Sequence, residues 1–565
     1  MLNGPIQGGV FRELRHISAQ LMGSHPFAVH PIGGIVPVME QQRYKEYAKI
    51  MMASLPLLPP NRPVHMFGCG HPMLFPMSIA LGADLFDSAA YALFARDGRL
   101  LTPWGTERIQ ELVDWPLLMP CVAQQTPAQV RNLGAKEREH LLAKYNLEVT
   151  LAELARCKQA VRDGRIWQLV EQRSHQHPAL REAFLWLTTA PSLERNLRPD
   201  RFYTDRDAAR DVDQDQGMWE DAWDWVVWSQ QTPRSGGVQW GGDDTFSRPH
   251  IAKARRTLHM RWEGQDETEQ AIVFHGIRGP FRERINDVLE WLDRHHPTLQ
   301  PLILTSLGLI PASLEDLNPF AHLDAPAWVL RHEPEQAWIQ RELQRLGLSD
   351  VAFATVDVAG DGMKQRLSEA LDSLNLTNEV HQPVESERRE KARNNLRVKQ
   401  GIAKQMVLLN ASKEVAVAIM EGAQFVVNRE GRVKNINDEH GRHLFSPRLR
   451  DGGMSLADTG AQALLVHRSE PNPTGLPRTE WWGHVGKGPA IVVVDSDAEP
   501  FVRKGRNVFH GFVVGCDPWL APGQPCLITN ESGQLLGHGV AQCTSTEMGA
   551  MTKGIAVKTL SLIHI

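Results

Sequence analysis

Short apolar segments ending in glycine or a polar residue alternate with helical stretches at the start of this chain. They run 2–7 then 11–22, 27–32 then 40–54, 64–67 then 72–81, and finally 83–87. A strand–helix rhythm of this kind builds a parallel sheet, because successive parallel strands need a crossover connection between them. Four such strands read as half of a TIM-type (β/α)8 barrel, an α/β fold in which the chemistry sits where the C-terminal strand ends converge. Gln7, Gly33, Gly34, Phe67, Gly68 and Asp87 all fall at such ends. Half a barrel would leave one edge unpaired and an apolar interior in water, and is expected to be unstable alone.

At 565 residues the chain is long enough for three or four domains. The reading is 1–190, a partial barrel with a helical extension over 128–187; 191–380, an α/β domain; 381–498, an α+β domain; and 499–560, a small β-barrel of short strands with Gly and Pro turns. Within the second domain 301–304 is strand-like and 307–311 a turn; a charged helix over 385–405 opens the third. Its basic residues are interspersed with Glu385, Glu387 and Glu390, the pattern of a salt-bridged exposed helix. Trp219, Trp223, Trp225 and Trp228 lie on one helix-like stretch, which suits packing against a neighbouring domain or subunit better than base stacking.

Net charge is −5, so any nucleic-acid binding must come from local basic surface. Six scattered cysteines without a CxxC pair suit reduced thiols in a cytoplasmic protein. No apolar run approaches the roughly 20 residues of a membrane helix, and no basic-then-apolar signal opens the chain.

Several blocks carry a resemblance: Asn3-Gly4-Pro5-Ile6-Gln7-Gly8-Gly9, Pro31-Ile32-Gly33-Gly34-Ile35-Val36-Pro37, Arg62-Pro63-Val64-His65-Met66-Phe67-Gly68, His71-Pro72-Met73 and Asp84-Leu85-Phe86-Asp87-Ser88-Ala89-Ala90. In order and spacing they resemble the archaeal tRNA-guanine transglycosylase (archaeosine tRNA-ribosyltransferase) family. The likeness continues through Arg248-Pro249 and Leu307-Gly308-Leu309-Ile310-Pro311 to a terminal module that resembles a PUA domain. It implies the C-terminal half of the family's barrel, with α+β domains and a PUA β-barrel behind it. The implied reaction exchanges guanine in the tRNA D-arm, at position 15, for a 7-deazaguanine base, 7-cyano-7-deazaguanine, without a redox or nucleotide cofactor. The implied partners are tRNA and a second copy of the chain, as a homodimer.

By position in these motifs Asp87 matches the family's nucleophile, a carboxylate that attacks ribose C1′ and holds the ribosyl group covalently. Gln7, Gly8, Gly33, Gly34 and Phe67 match or adjoin the base pocket, where a Gln amide and closely approaching backbone N–H groups satisfy the guanine edge. Taken singly, an Asp at a strand end caps a turn, Gly33-Gly34 is a tight turn and Phe67 a core residue. In the PUA-like module Arg503, Lys504, Arg506, Lys553 and Lys558 are candidate phosphate contacts, each also readable as a solvated surface charge. The family carries a structural zinc on three closely spaced cysteines and a histidine; Leu117, Met119, Val122 and Tyr145 stand at those positions, so no metal is expected, and an apolar cluster in its place. Cys121, out of register, reads as a small buried thiol.

The family places a further aspartate, and more base-recognition residues, before the Asn-Gly-Pro-Ile-Gln block with which this sequence opens. An incomplete gene product or a subunit completed by a separate polypeptide would account for that. The terminal 560–565 looks like a translated sequencing adaptor, which favours the first and excludes the hexapeptide from fold reasoning. The rival reading is a non-catalytic or archaeosine-synthase-like tRNA-binding paralogue.

Overall fold

Strands β1 (His30–Ile32), β2 (Val64–Met66) and β3 (Leu85–Phe86) lie side by side and parallel in that order, and Asn3 and Ile6 bridge in parallel to Val29 and Ile32. Three of the four expected strands therefore form, and the first segment, 2–7, joins their edge through two isolated parallel bridges; the helices between them are α1 (Arg12–Gly23), α2 (Val36–Glu40) with α3 (Tyr44–Ser54), and α4 (Phe75–Ala80). Ile6, Ile32 and Met66 are fully buried in one core with Tyr47, Ala48 and Met51 of α3, whose spacing of three and four residues puts them on one helical face. Burial of each large side chain there contributes about 1.5–3 kcal/mol.

The computed structural model describes residues 2–188, 219–230, 241, 244–245, 248–253, 268–277, 279, 281–305, 308–317, 335–376, 401, 403–404, 411–427, 433–448, 453–477 and 488–560. Contacts divide the chain into two units, Met1–Ser192 with Arg201–His250, and Leu193–Asp200 with Ile251–Ile565.

In the first unit the sheet is followed by α5 (Ala90–Arg96), the hairpin β4 (Arg99–Thr102) and β5 (Gly105–Arg108), and the expected helical extension. That extension comprises α6 (Pro127–Arg131), α7 (Ala135–Asp163), α8 (Ile166–Ser174) and α9 (Pro178–Leu187). A capping box of Thr126 and Gln129 starts α6, and left-handed Gly164 ends α7. The tryptophan stretch is a helix, Glu220–Trp228, and belongs to the first unit although it lies beyond the boundary expected at 190. Trp219 and Trp223 are buried in the same core as the sheet, with Trp186 edge-on to Trp219 at 5.3 Å between centroids. They pack within their own unit, which leaves them unsuited to base stacking.

Arg248 pairs with Glu171 at 2.6 Å, both buried. Beside it, burial and then the Arg248 charge push the buried His250 imidazole down to about 3. An unfolded histidine takes its proton below about pH 6.5, the folded one only near 3, so stability is complete above 6.5 and falls as pH drops through that window. Between pH 7.5 and 5 a loss of about 2 kcal/mol from this residue is expected, read as a shift of the urea midpoint that His250→Gln flattens.

Among the described residues of the second unit there are three sheets. β6 (Gln270–His275), β7 (Leu299–Thr305), β8 (Gly308–Pro311) and β9 (Ala352–Asp357) run in the order β8-β7-β6-β9, with β8 antiparallel to β7. Residues 308–311 are thus a strand, not the expected turn, because Thr305 pairs with Gly308 and closes a hairpin there. A meander of β10 (Gln424–Val427), β11 (Val433–Asn437), β12 (His443–Arg448) and β13 (Gly453–Leu456) follows. The last sheet is β15-β19-β18-β17-β14-β16, from β14 (Ala490–Val494), β15 (Val508–Phe509), β16 (Val513–Cys516), β17 (Pro525–Asn530), β18 (Leu535–Ala541) and β19 (Ile555–Thr559). This module begins at Ala490, before the expected boundary at 499, because β14 fills the slot between β16 and β17. The charged helix over 385–405 falls outside the described residues except at 401, 403 and 404, as do Leu307 and 561–565.

Candidate active site

Ile6 pairs with Ile32, Ile32 with Met66, and Met66 with Phe86, so the next residues, Gln7, Gly33, Phe67 and Asp87, end four adjacent strands at one level. Alternation along each strand turns these positions away from the buried Ile6, Ile32 and Met66. Gln7, Phe67 and Asp87 are exposed.

Asp87 Oδ1 accepts from the backbone N–H of Gly68 and from His65 Nε2, each at 2.8 Å. A carboxylate only accepts, so His65 carries its proton on Nε2. Half of the Asp87 side chain remains open to solvent. Both donors come from the neighbouring strand and its loop, and the turn after β3 has its own cap, since Ser88 Oγ accepts from Ala90 N–H at 2.9 Å. Asp84 supplies a further tie to β2, accepting from Val64 N–H at 2.8 Å. Gly68 stands at φ +85°, a conformation that aims its N–H at Asp87 and that an L side chain rarely adopts. Phe67, 55% exposed, lies edge-on to His65 with centroids 5.7 Å apart, so it is no core residue.

Across the sheet the Gln7 amide lies directly over Gly33, where a Cβ would overlap Nε2. Gly34 turns the backbone at φ +69°. Gly8 has a different task, packing against the backbone of Leu14 and Arg15 at the start of α1. Beneath these strand ends lies Arg15, fully buried, which donates from Nη1 to Ile6 O at 3.0 Å, from Nη2 to Gly33 O at 2.9 Å and from Nε to Gly9 O at 2.8 Å. Burial pushes its guanidinium down to about 10, still charged at neutral pH. Neither Arg15 nor His65 was singled out from sequence.

Leu117, Met119, Val122 and Tyr145 offer no thiolate, imidazole or carboxylate of the kind that binds zinc. Val122 and Tyr145 are buried in one apolar cluster against which Leu117, Met119 and Trp115 pack, the Tyr145 ring stacking on Trp115 at 5.5 Å. Cys121 is half-buried, its thiol pushed up to about 12 by burial and by Glu148. Among the described residues Glu171, His175 and Asp244 converge within 4.8 Å, but Arg248 and Arg181 already occupy the carboxylates. In the terminal module Lys504, Arg506, Lys553 and Lys558 are exposed, whereas Arg503 is engaged by Glu499 at 2.7 Å and Gln534 at 3.0 Å.

The family model described as queuine tRNA-ribosyltransferase matches residues 1–179, the stretch that holds all of these strand ends. Over 566 residues the chain is 31% identical to the tRNA-guanine(15) transglycosylase of Methanocaldococcus jannaschii, covering 99% of this chain and 74% of that protein. The chain belongs to the tRNA-guanine transglycosylase family. Relatives of the same name in Methanococcus vannielii and Pyrococcus abyssi are each 30% identical, over 98% and 99% of this chain and 74% and 71% of theirs. The model of the PUA domain matches residues 490–563, in agreement with the sheet that starts at Ala490. Among the described residues no helix is long and apolar enough to cross a membrane.

Proposed function

We propose that this transglycosylase-family chain exchanges guanine at position 15 of tRNA for a 7-deazaguanine base, 7-cyano-7-deazaguanine, through a covalent ribosyl ester on Asp87. The observation that carries the reading is the shared level of Gln7, Gly33, Phe67 and Asp87 on four adjacent parallel strands. A nucleophile at one end of that row and a Gln amide beside bare glycine backbone at the other suit a flipped nucleotide. Attack at C1′ expels the base, and the exposed Phe67 ring offers a face for it, a contact on the order of 1–3 kcal/mol. The strands and helices of residues 2–87 serve in this reading as one side of a (β/α) barrel, and Lys504, Arg506, Lys553 and Lys558 of the PUA domain hold tRNA phosphates. The identity of the deazapurine, the D-arm position and a homodimer rest on family likeness. The test is replacement of labelled guanine in an unmodified tRNA transcript, with a denaturing gel of quenched reactions for the protein–RNA ester.

We infer too that the chain holds no structural metal at Leu117, Met119, Val122 and Tyr145, since their packing supplies the cohesion a zinc would give. A metal at 100 times its dissociation constant would stabilise by about 2.7 kcal/mol. No such shift is expected on adding zinc or a chelator, and elemental analysis finding one zinc per purified chain would sink the idea.

A further inference from the structure

We propose that His65 is a positioning residue for Asp87, and that with the Gly68 N–H it divides the labour of the carboxylate: Oδ1 is the anchored oxygen, Oδ2 the one that bonds to ribose C1′. This rests on the exchange reading above. Both donors converge on Oδ1 at 2.8 Å, and among the described residues none is bonded to Oδ2. Two bonds from fixed groups stop rotation about Cβ–Cγ, so the free oxygen is presented in one direction. His65 is itself held: it precedes the last paired residue of β2, is largely buried, and has Phe67 against its ring.

In the forward step an Oδ2 lone pair forms the Oδ2–C1′ bond, the C1′–N9 bond breaks, and guanine leaves with that pair and takes a proton from water. Oδ1 becomes the carbonyl oxygen of the ester, still facing both donors. In the return step N9 of the incoming base bonds to C1′ and gives its proton to water, while the Oδ2–C1′ pair returns to the carboxylate. Hydrogen bonds to Oδ1 make an anchored carboxylate a less basic nucleophile but a better leaving group. Fixed direction in the first step and a stabilised departing carboxylate in the second outweigh that loss, because the donors are already in place and need no reorganisation.

The experiment compares steady-state exchange by the wild-type chain, His65→Ala and His65→Gln, with the trapped ester measured in parallel. His65→Ala is expected to lower kcat by about 10²-fold with the KM for tRNA changed by less than about threefold. His65→Gln, which keeps an N–H donor, is expected to recover all but about tenfold of that loss. Phe67 loses its edge contact in both variants, so a purely structural role for His65 would affect both alike and raise KM. Equal kcat in wild type and His65→Ala, or a Gln variant as slow as Ala, overturns the assignment while the exchange reading stands. A wild-type chain that forms neither ester nor exchanged tRNA overturns both.

Discussion

Asp87→Asn is expected to abolish base exchange, by on the order of 10⁴-fold or more in kcat, while leaving tRNA affinity and the unfolding midpoint unchanged. The substitution is nearly isosteric, and the amide oxygen can still accept from Gly68 and His65 at the 2.8 Å positions now filled by Oδ1. What is lost is the anionic oxygen that would make the bond to C1′, for which an amide is no substitute. No ester should appear on a denaturing gel at any time point. The partial exposure of Asp87 means the variant leaves no buried group without a partner, so a fall in stability is not expected to confuse the result. Exchange within about tenfold of wild type would rule out covalent catalysis by this residue.

The strand–helix rhythm made the site legible because it needs no partner information. Period-two and helical patterns located four strand ends, and the parallel register then put Gln7, Gly33, Phe67 and Asp87 at one level. Strand order and register were not readable, since the same segments could pair in other orders. His65 lay within a quoted motif, and alternation placed it on the face of Phe67, but a hydrogen bond to a residue 22 positions away is a property of pairing alone. The boundary at 490 was missed for a different reason. Ala490–Val494 is an unbroken apolar run buried throughout, which reads as the central strand it proves to be, yet composition alone attached it to the segment before. The tryptophan helix misled through distance in sequence, since Trp219 returns to pack on Trp186 across a stretch of mixed charge that resembles a domain linker.

Arg15→Met is expected to destabilise the first unit by about 2 kcal/mol and to impair exchange even where the protein remains folded. From sequence Arg15 looks like one more polar residue on an exposed helix; in the fold it is fully buried, with donors on the carbonyls of Ile6, Gly9 and Gly33. Ile6 O keeps a second partner in Gly33 N–H at 3.0 Å and Gly9 is exposed, where water can replace the lost donor, so the main loss falls on the buried Gly33 O. Each buried carbonyl left without a donor costs about 1–3 kcal/mol, partly offset because methionine removes a charge whose burial was itself unfavourable. Arg15→Lys should fall between wild type and Met, since a single ammonium cannot span three carbonyls as the guanidinium fork does. The functional consequence follows from what those carbonyls belong to: the backbone after the first strand, which carries Gln7, and Gly33, over which the Gln7 amide lies. If the fork slackens, the pocket edge shifts relative to Asp87 by a fraction of an ångström to an ångström, enough to cost up to about 10²-fold in kcat/KM. Urea unfolding and exchange kinetics on the same preparations decide it. A Met variant within about 0.5 kcal/mol of wild type would show that the carbonyls find other donors, and that Arg15 fills space beneath the site without holding it.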